Sequence, residues 1–215
     1  MSVWAIVVAA GSGARFGGAK HLADLGGRRV IDVSIAVADS SADGVVLVVA
    51  SDEVAGFDSG VEGVHVVAGG STRSESVRSG LTAVPNDAQV IVVHDGARPL
   101  ASAALFNLVV DAVRSGAEAA VPAVAVVDTI RHVDEGSVDR SKLVAVQTPQ
   151  AFEAEALRAA HQAGLDATDD AGLVEANGGT VVLVEGEPMN IKITSPEDLA
   201  IARTLRGWHD KRVNK

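Results

Sequence analysis

Small residues and two cations share one stretch, Ala9-Ala10-Gly11-Ser12-Gly13-Ala14-Arg15-Phe16-Gly17-Gly18-Ala19-Lys20, directly after an apolar run. Glycine and alanine at a strand end let backbone N–H groups approach phosphate oxygens closely, and Arg15 and Lys20 add positive charge. Phe16 stands at the third glycine position of G-x-G-x-x-G and Ala19 separates Gly18 from Lys20, so neither a dinucleotide fingerprint nor a Walker A loop is present. Cations inside the turn favour triphosphate binding over a plain flexible turn. A second junction, Gly69-Gly70-Ser71-Thr72-Arg73-Ser74-Glu75-Ser76-Val77, offers helix N-terminal N–H groups, the Arg73 fork and the hydroxyls of Ser71 and Ser76. A well-capped helix without a ligand would look the same.

The apolar run Val90–Val93 leads into His94-Asp95-Gly96-Ala97-Arg98-Pro99. A carboxylate there sits where open α/β sheets bind ligands, and Asp95 suits Mg²⁺, a hard cation that takes one or two carboxylates and completes its shell with water and phosphate oxygens. An Asp-Gly turn with Arg98 as ion-pair partner fits equally. His94, alone beside a buried strand, reads as structural. Lys192 lies in Asn190–Thr194 between apolar residues, where its stem needs an anionic partner, be it a ligand or a carboxylate of the chain. Thr148-Pro149-Gln150 reads as a turn and Thr168-Asp169-Asp170 as an acidic helix cap.

The elements that must hold these residues alternate along the chain. Strand-like runs are Trp4–Ala10, Val45–Ala50, Val64–Val67, Val90–Val93, Ala119–Val127, Val181–Val184 and a late short one, Asn190–Thr194; most are continuously apolar, as strands covered on both faces are. Helix candidates are Val30–Ala38, Ser71–Ala83, Ser102–Ser115, Glu153–Ala163 and Thr168–Ala176, and a last helix starts with Ser195 as N-cap and Pro196 at its first position. The alternation predicts an α/β fold with one doubly wound, mainly parallel sheet in a single domain, 1–215. Residues 124–148 carry a charged middle between two β-like arms, Val124–Arg131 and Leu143–Thr148, and read as a projecting β-hairpin arm suited to clasping a second subunit.

The 215 residues are 47% hydrophobic, which is ample for one core, but only 3% aromatic, with no Tyr. A net charge of −10 and the scarcity of stacking rings speak against a nucleic-acid partner, while a few cations focused in a cleft can still hold a small anion. No cysteine is present, so disulfides, thiolate metal sites and Cys nucleophiles drop out. No long uncharged apolar run occurs, and the reading is a cytoplasmic protein with no membrane partner.

In order and spacing, Ala9–Lys20, Gly69–Ser76, His94–Pro99, Asp128-Thr129, Thr148-Pro149-Gln150 and Asn190–Asp198 resemble the 2-C-methyl-D-erythritol 4-phosphate cytidylyltransferase family of the non-mevalonate isoprenoid pathway, across nearly the whole chain. The resemblance implies a Rossmann-like nucleotidyltransferase fold and transfer of a cytidylyl group from CTP to a polyol phosphate. It implies Arg15, Lys20 and Lys192 as catalytic residues that hold and neutralise phosphates. Ala9, Ala10, Gly11, Gly13 and Ala97 would line the nucleotide site, with Gly70, Ser71, Arg73 and Ser76 on its cytosine and ribose side. Asp95 would bind Mg²⁺ and, with Arg98, Thr129, Arg140 and Thr148, meet the acceptor; the arm residues would come from the neighbouring subunit of a homodimer. The chain departs from the family pattern with Val8 where Pro is frequent, Ala19-Lys20-His21 in place of Pro-Lys-Gln, and a short loop from Arg15 to Lys20. A ribitol 5-phosphate cytidylyltransferase, another sugar- or polyol-phosphate nucleotidyltransferase, or a silent nucleotide-binding module are the alternatives; the retained Lys20, Asp95 and Lys192 weigh against the last.

Overall fold

A computed structural model describes residues 1–162 and 164–213, with side chains described up to residue 207. In chain order the elements are β1 (Val3–Val8), α1 (Val30–Asp39), β2 (Gly44–Val49), β3 (His65–Ala68), α2 (Arg73–Ala83), β4 (Val90–Asp95), α3 (Ala103–Arg114), β5 (Ala119–Ala125), β6 (Arg131–His132), β7 (Gly136–Ser137), β8 (Val144–Val146), β9 (Gln150–Glu153), α4 (Ala154–Gln162), α5 (Asp170–Ala176), β10 (Val181–Glu185) and α6 (Pro196–Val213). The end of the expected helix at Ala163 lies outside the described residues, as do the chain's last two residues.

The sheet runs β10-β5-β9-β4-β1-β2-β3, with β8 paired to β5 alongside. Pairings β1–β2, β1–β4, β2–β3 and β5–β10 are parallel; β9 lies antiparallel between β4 and β5. Alternation along each strand divides the core. Ala5, Val7, Leu47 and Val92 face α1 and α3, packing with Ile31, Ile35, Phe106 and Val109, while Ile6, Val48, Ile91 and Val93 face α2, α4 and α5 with Val77, Leu81, Leu157 and Leu173. Helices on both faces make it the doubly wound, mainly parallel sheet that the apolar runs predict. A third cluster, Leu25, Val30, Ile193, Leu199 and Ala202, seats α6 beside α1.

Two expectations are corrected. Asn190–Thr194 forms no strand: its Ile193 N–H donates to Ala97 O at 2.8 Å, a single tether rather than a ladder. Thr148-Pro149-Gln150 is not a simple turn, because after a cis Thr148–Pro149 peptide the chain enters β9 at once. The predicted hairpin is present: the end of β5 pairs with β8, and β6 with β7 at the tip.

Candidate active site

Parallel strands β1 and β4 end side by side, Val8 opposite Asp95 in register, so everything following them gathers at one end of the sheet. A cleft of ≈ 350 Å³ opens there, lined by Val8 to Ser12, Lys20, His21, Gly70 to Arg73, Ser76, Asp95 to Ala97 and Lys192. The Gly-rich loop forms its lip. Gly13 has φ +64 and accepts the N–H groups of Phe16 and Gly17, and a Cβ on it would stand 2.0 Å from Gly18 O. Only glycine closes that turn, which carries Phe16 onto the third core cluster and Lys20 back into the cleft.

The opposite lip is the start of α2. Thr72 caps it, its Oγ1 accepting from Glu75 N at 3.1 Å, while the Glu75 carboxylate takes the N–H and hydroxyl of Ser71 at 2.6 and 2.5 Å. Gly69 packs so near the first loop that an added Cβ would lie 2.3 Å from Ala10 Cβ, and so the two loops fit as one surface.

Between the lips, four charged groups converge. Asp95 Oδ2 is 2.7 Å from Lys192 Nζ and 3.7 Å from Arg98 Nε, and its Oδ1 is 3.7 Å from Arg73 Nε. Burial alone would raise the Asp95 pKa, but Lys192, Arg73 and Arg98 outweigh it and hold the carboxyl well below the usual range. Lys20 is pushed down, first by burial and then by Lys192 and Arg15, with Asp95 pulling the other way. Arg73 would likewise be lowered by burial, yet Asp170 and Asp95 raise it. The cations outnumber the carboxylate, which leaves positive potential for an anion in a narrow cleft.

The floor is sealed by groups that face inward. His94 is fully buried, its ring bonded to Thr148 Oγ1 and to Arg98 O at 3.2 Å each, and burial lowers its pKa to about 4. Thr148 Oγ1 also accepts from Asp95 N at 2.9 Å. His94 therefore stays neutral at physiological pH and is spent on structure, as its position suggested.

Of the residues singled out, Ala9, Ala10, Gly11, Lys20, Gly70, Ser71, Arg73, Ser76, Asp95, Ala97 and Lys192 line the cleft. Arg15 is exposed on the loop and Gly13 shapes it from behind. Arg98 lies beneath, donating to Asn190 O at 2.7 Å and so pinning the Lys192 segment. The structure does not bring Thr129 or Arg140 to this cleft: both are exposed on the arm, and Arg140 donates to Val127 O. Thr148 comes close only as a buried support, its hydroxyl engaged internally. His21 was named only as a departure from the family pattern and not as a site residue; it lines the cleft with Nε2 3.1 Å from Glu53 Oε1, and its adjacency to Lys20 was the available signal. A larger hollow of ≈ 850 Å³ lies at the other end of the strands, but its Arg158 is used up on the carbonyls of Leu81, Val84 and Pro85.

Mg²⁺ was expected at Asp95. One carboxylate is available, and no group of three His, Asp or Glu able to hold a metal occurs among the described residues. That donor set does not make a free-standing metal site. It fits an ion that arrives on a triphosphate and takes one protein oxygen, Oδ1, whose ionic contact among the described residues is the 3.7 Å one with Arg73.

Comparison with known proteins agrees with this geometry. The family model for IspD, 2-C-methyl-D-erythritol 4-phosphate cytidylyltransferase, matches residues 3–206. The chain is 44% identical to the 2-C-methyl-D-erythritol 4-phosphate cytidylyltransferase of Nocardia farcinica over 95% of its own length and 94% of that protein's. Against the enzyme of the same name from Rhodococcus jostii it is 45% identical, with 94% of each covered. The crystal structure of 2-C-methyl-D-erythritol 4-phosphate cytidylyltransferase from Thermus thermophilus superposes with a TM-score of 0.81 at 34% identity, covering 95% of this chain and 98% of that one. With the family model matching residues 3–206 and these relatives matched almost end to end, the chain belongs to the 2-C-methyl-D-erythritol 4-phosphate cytidylyltransferase family.

Proposed function

We propose that the chain transfers a cytidylyl group from CTP to 2-C-methyl-D-erythritol 4-phosphate, giving 4-diphosphocytidyl-2-C-methyl-D-erythritol and pyrophosphate in isoprenoid precursor synthesis. The observation that carries the reading is the convergence of Lys20, Arg73 and Lys192 around Asp95 in one cleft between two Gly-rich loops. An oxygen of the acceptor's phosphate attacks the α-phosphorus in line. A new P–O bond forms, the bond from the α-phosphorus to the bridging oxygen breaks, and its electron pair leaves with pyrophosphate. A phosphate monoester is already anionic near neutrality, so no general base is required, in keeping with the buried, engaged His94.

The chain's contribution is positioning and neutralisation. Two anions must meet, and Lys20 and Lys192 offset the charge that builds up on the transferring and departing phosphates, with Arg15 on the exposed side of the lip. Gly70, Ser71, Arg73 and Ser76 face the nucleoside half, and backbone at Ala9 to Gly11 faces the phosphates. Asp95 would hold Mg²⁺ carried by the nucleotide, an ion that supplies further neutralisation of the phosphate oxygens when bound.

The acceptor half is completed by a second subunit. The arm from Val124 to Thr148 exposes Val127 at 77%, Val133 at 97% and Val144 at 47%, apolar surface that a partner would cover. In a homodimer the arm's Thr129 and Arg140 reach the partner's cleft. No helix among the described residues is long and apolar enough to cross a membrane, and the compartment proposed is the cytoplasm, where CTP is available.

Pyrophosphate release from CTP and Mg²⁺ tests the reaction, run without acceptor, with methylerythritol 4-phosphate and with ribitol 5-phosphate. Release with methylerythritol phosphate alone is expected. Release with ribitol phosphate alone would move the acceptor and keep the nucleotide site; silence with both would leave a nucleotide-binding domain.

A further inference from the structure

Arg73 reaches the cleft from the first turn of α2, but it is held from behind. Its Nη1 donates to Asp170 Oδ2 at 2.7 Å, and the other oxygen of that carboxylate accepts from His161 Nε2 at 3.0 Å. Asp170 has no exposed surface and His161 is 3% exposed. A carboxylate taken so far from water needs donors on both oxygens, and here one comes from the cleft's own arginine and the other from α4. The tautomer follows, since a carboxylate oxygen only accepts and Nε2 must carry the hydrogen. Among the described residues His161 Nδ1 is buried with no hydrogen-bond partner, and the ring's hydrogen bond goes to Asp170. An imidazole kept merely to fill space there would be replaced at lower cost by an apolar side chain.

The side chains on either side of Arg73 are tied to the same connection between α4 and α5. Thr72 Oγ1 donates to Asp166 Oδ1 at 2.8 Å, and Ala167 N–H donates to Ser74 Oγ at 3.2 Å. Arg73 is thus fixed at three successive residues, with Nε turned toward Asp95 and 22% of the side chain still exposed at the cleft. We infer that His161 and Asp170 are positioning residues for nucleotide binding: the α4–α5 connection sets the aim of the Arg73 guanidinium, and His161 sets the aim of Asp170. The inference rests on the reading of the cleft as a CTP site.

Titration calorimetry with CTP and Mg²⁺ on the intact protein, without acceptor, tests it. CTP binding without pyrophosphate release would break the transferase reading and leave this test standing. Asp170→Asn and His161→Leu are expected to weaken CTP binding about tenfold or more, the effect of losing a hydrogen bond to a charged group. His161→Gln, whose amide still donates, keeps affinity near the wild type, and neither loss adds to that of Arg73→Ala in a double variant. The KM for the acceptor stays unchanged in all of them. CTP affinity within about twofold of wild type in both single variants, or full additivity with Arg73→Ala, would overturn the inference. So would an equal loss in His161→Gln and His161→Leu. Should His161→Leu not fold, Asp170→Asn and its double with Arg73→Ala decide between the same outcomes.

Discussion

In the cleft, Lys192, Arg73 and Arg98 surround Asp95 at 2.7 to 3.7 Å, at the end of a fully buried strand. In the arm, β6 and β7 are two residues each, β8 has three, all of its residues are exposed, and Val133 shows 97% of its surface. One region is finished by its own chain: its charged groups meet around Asp95 and the floor is closed with His94 and Thr148. The other leaves apolar surface open at Val133 and Val144, and its Thr129 and Arg140 lie away from the cleft of the same protomer. Under the proposed reaction the contrast separates two jobs, nucleotide binding by a preformed pocket and acceptor binding by assembly, and experiment can split them.

Substitutions of the two lysines probe the preformed side hardest. Lys20→Ala and Lys192→Ala should keep the wild-type circular dichroism spectrum while kcat falls roughly a hundredfold to a thousandfold, as for removal of one preorganised charge-stabilising donor. Wild-type-like turnover in either would dissolve the assigned roles.

Acid should expose the sealed floor next. His94 titrates at about 4 in the folded chain against an ordinary 6.5, so the unfolded state takes up the proton first. The stabilisation is complete above about pH 6.5 and is lost progressively as pH falls toward 4, about 3 kcal/mol in all. Urea melts between pH 7 and pH 4.5 should show that slope in the wild type and a flatter one in His94→Gln. Equal slopes would mean that the ring is not the sensor.

The arm is sharpened by mixing subunits. Arg140→Ala should raise the acceptor KM about tenfold, the loss of one charge-assisted contact, and leave CTP binding alone. Combined with Lys20→Ala subunits, it should regain activity, because one mixed dimer carries one intact site. Full activity of a monomer on size-exclusion chromatography would erase the distinction between the two regions. The smallest effect belongs to the cap of α2: Thr72→Ala should cost about 1 kcal/mol in a thermal or urea melt.

The fold was legible where burial writes itself into composition. Val45 to Val49 and Val90 to Val93 are covered on both faces, so their apolar runs are continuous. β9 was not: Gln150-Ala151-Phe152-Glu153 is short and half polar, and it exists because β4 and β5 each offer it an open edge from far away in sequence. Asn190–Thr194 misled for the opposite reason, since Ile191 and Ile193 alternate like a strand but pack in the α6 cluster without a pairing partner. In the site, Lys20, Arg73, Asp95 and Lys192 each fitted a structural reading when taken alone, and it was their segments in order, as the family resemblance, that singled them out together. The supporting roles were not legible: Thr148 entered as a turn residue and, through the resemblance, as an acceptor contact, and Asp170 only as part of an acidic cap. Tertiary contacts alone place one beneath Asp95 and the other behind Arg73.

The segment that carries Lys192 follows all of the strands and is fastened by Ile193 to Ala97 and by Arg98 to Asn190. Coming after β10 and before α6, it supplies Asp95 with its shortest ion pair from outside the sheet. Without it Lys20, Arg73 and Asp95 would still line one end of the sheet, but the cleft would lack one of its charges. Catalytic competence therefore depends on a long-range docking contact as well as on the sheet, and the cleft is complete only with this segment in place.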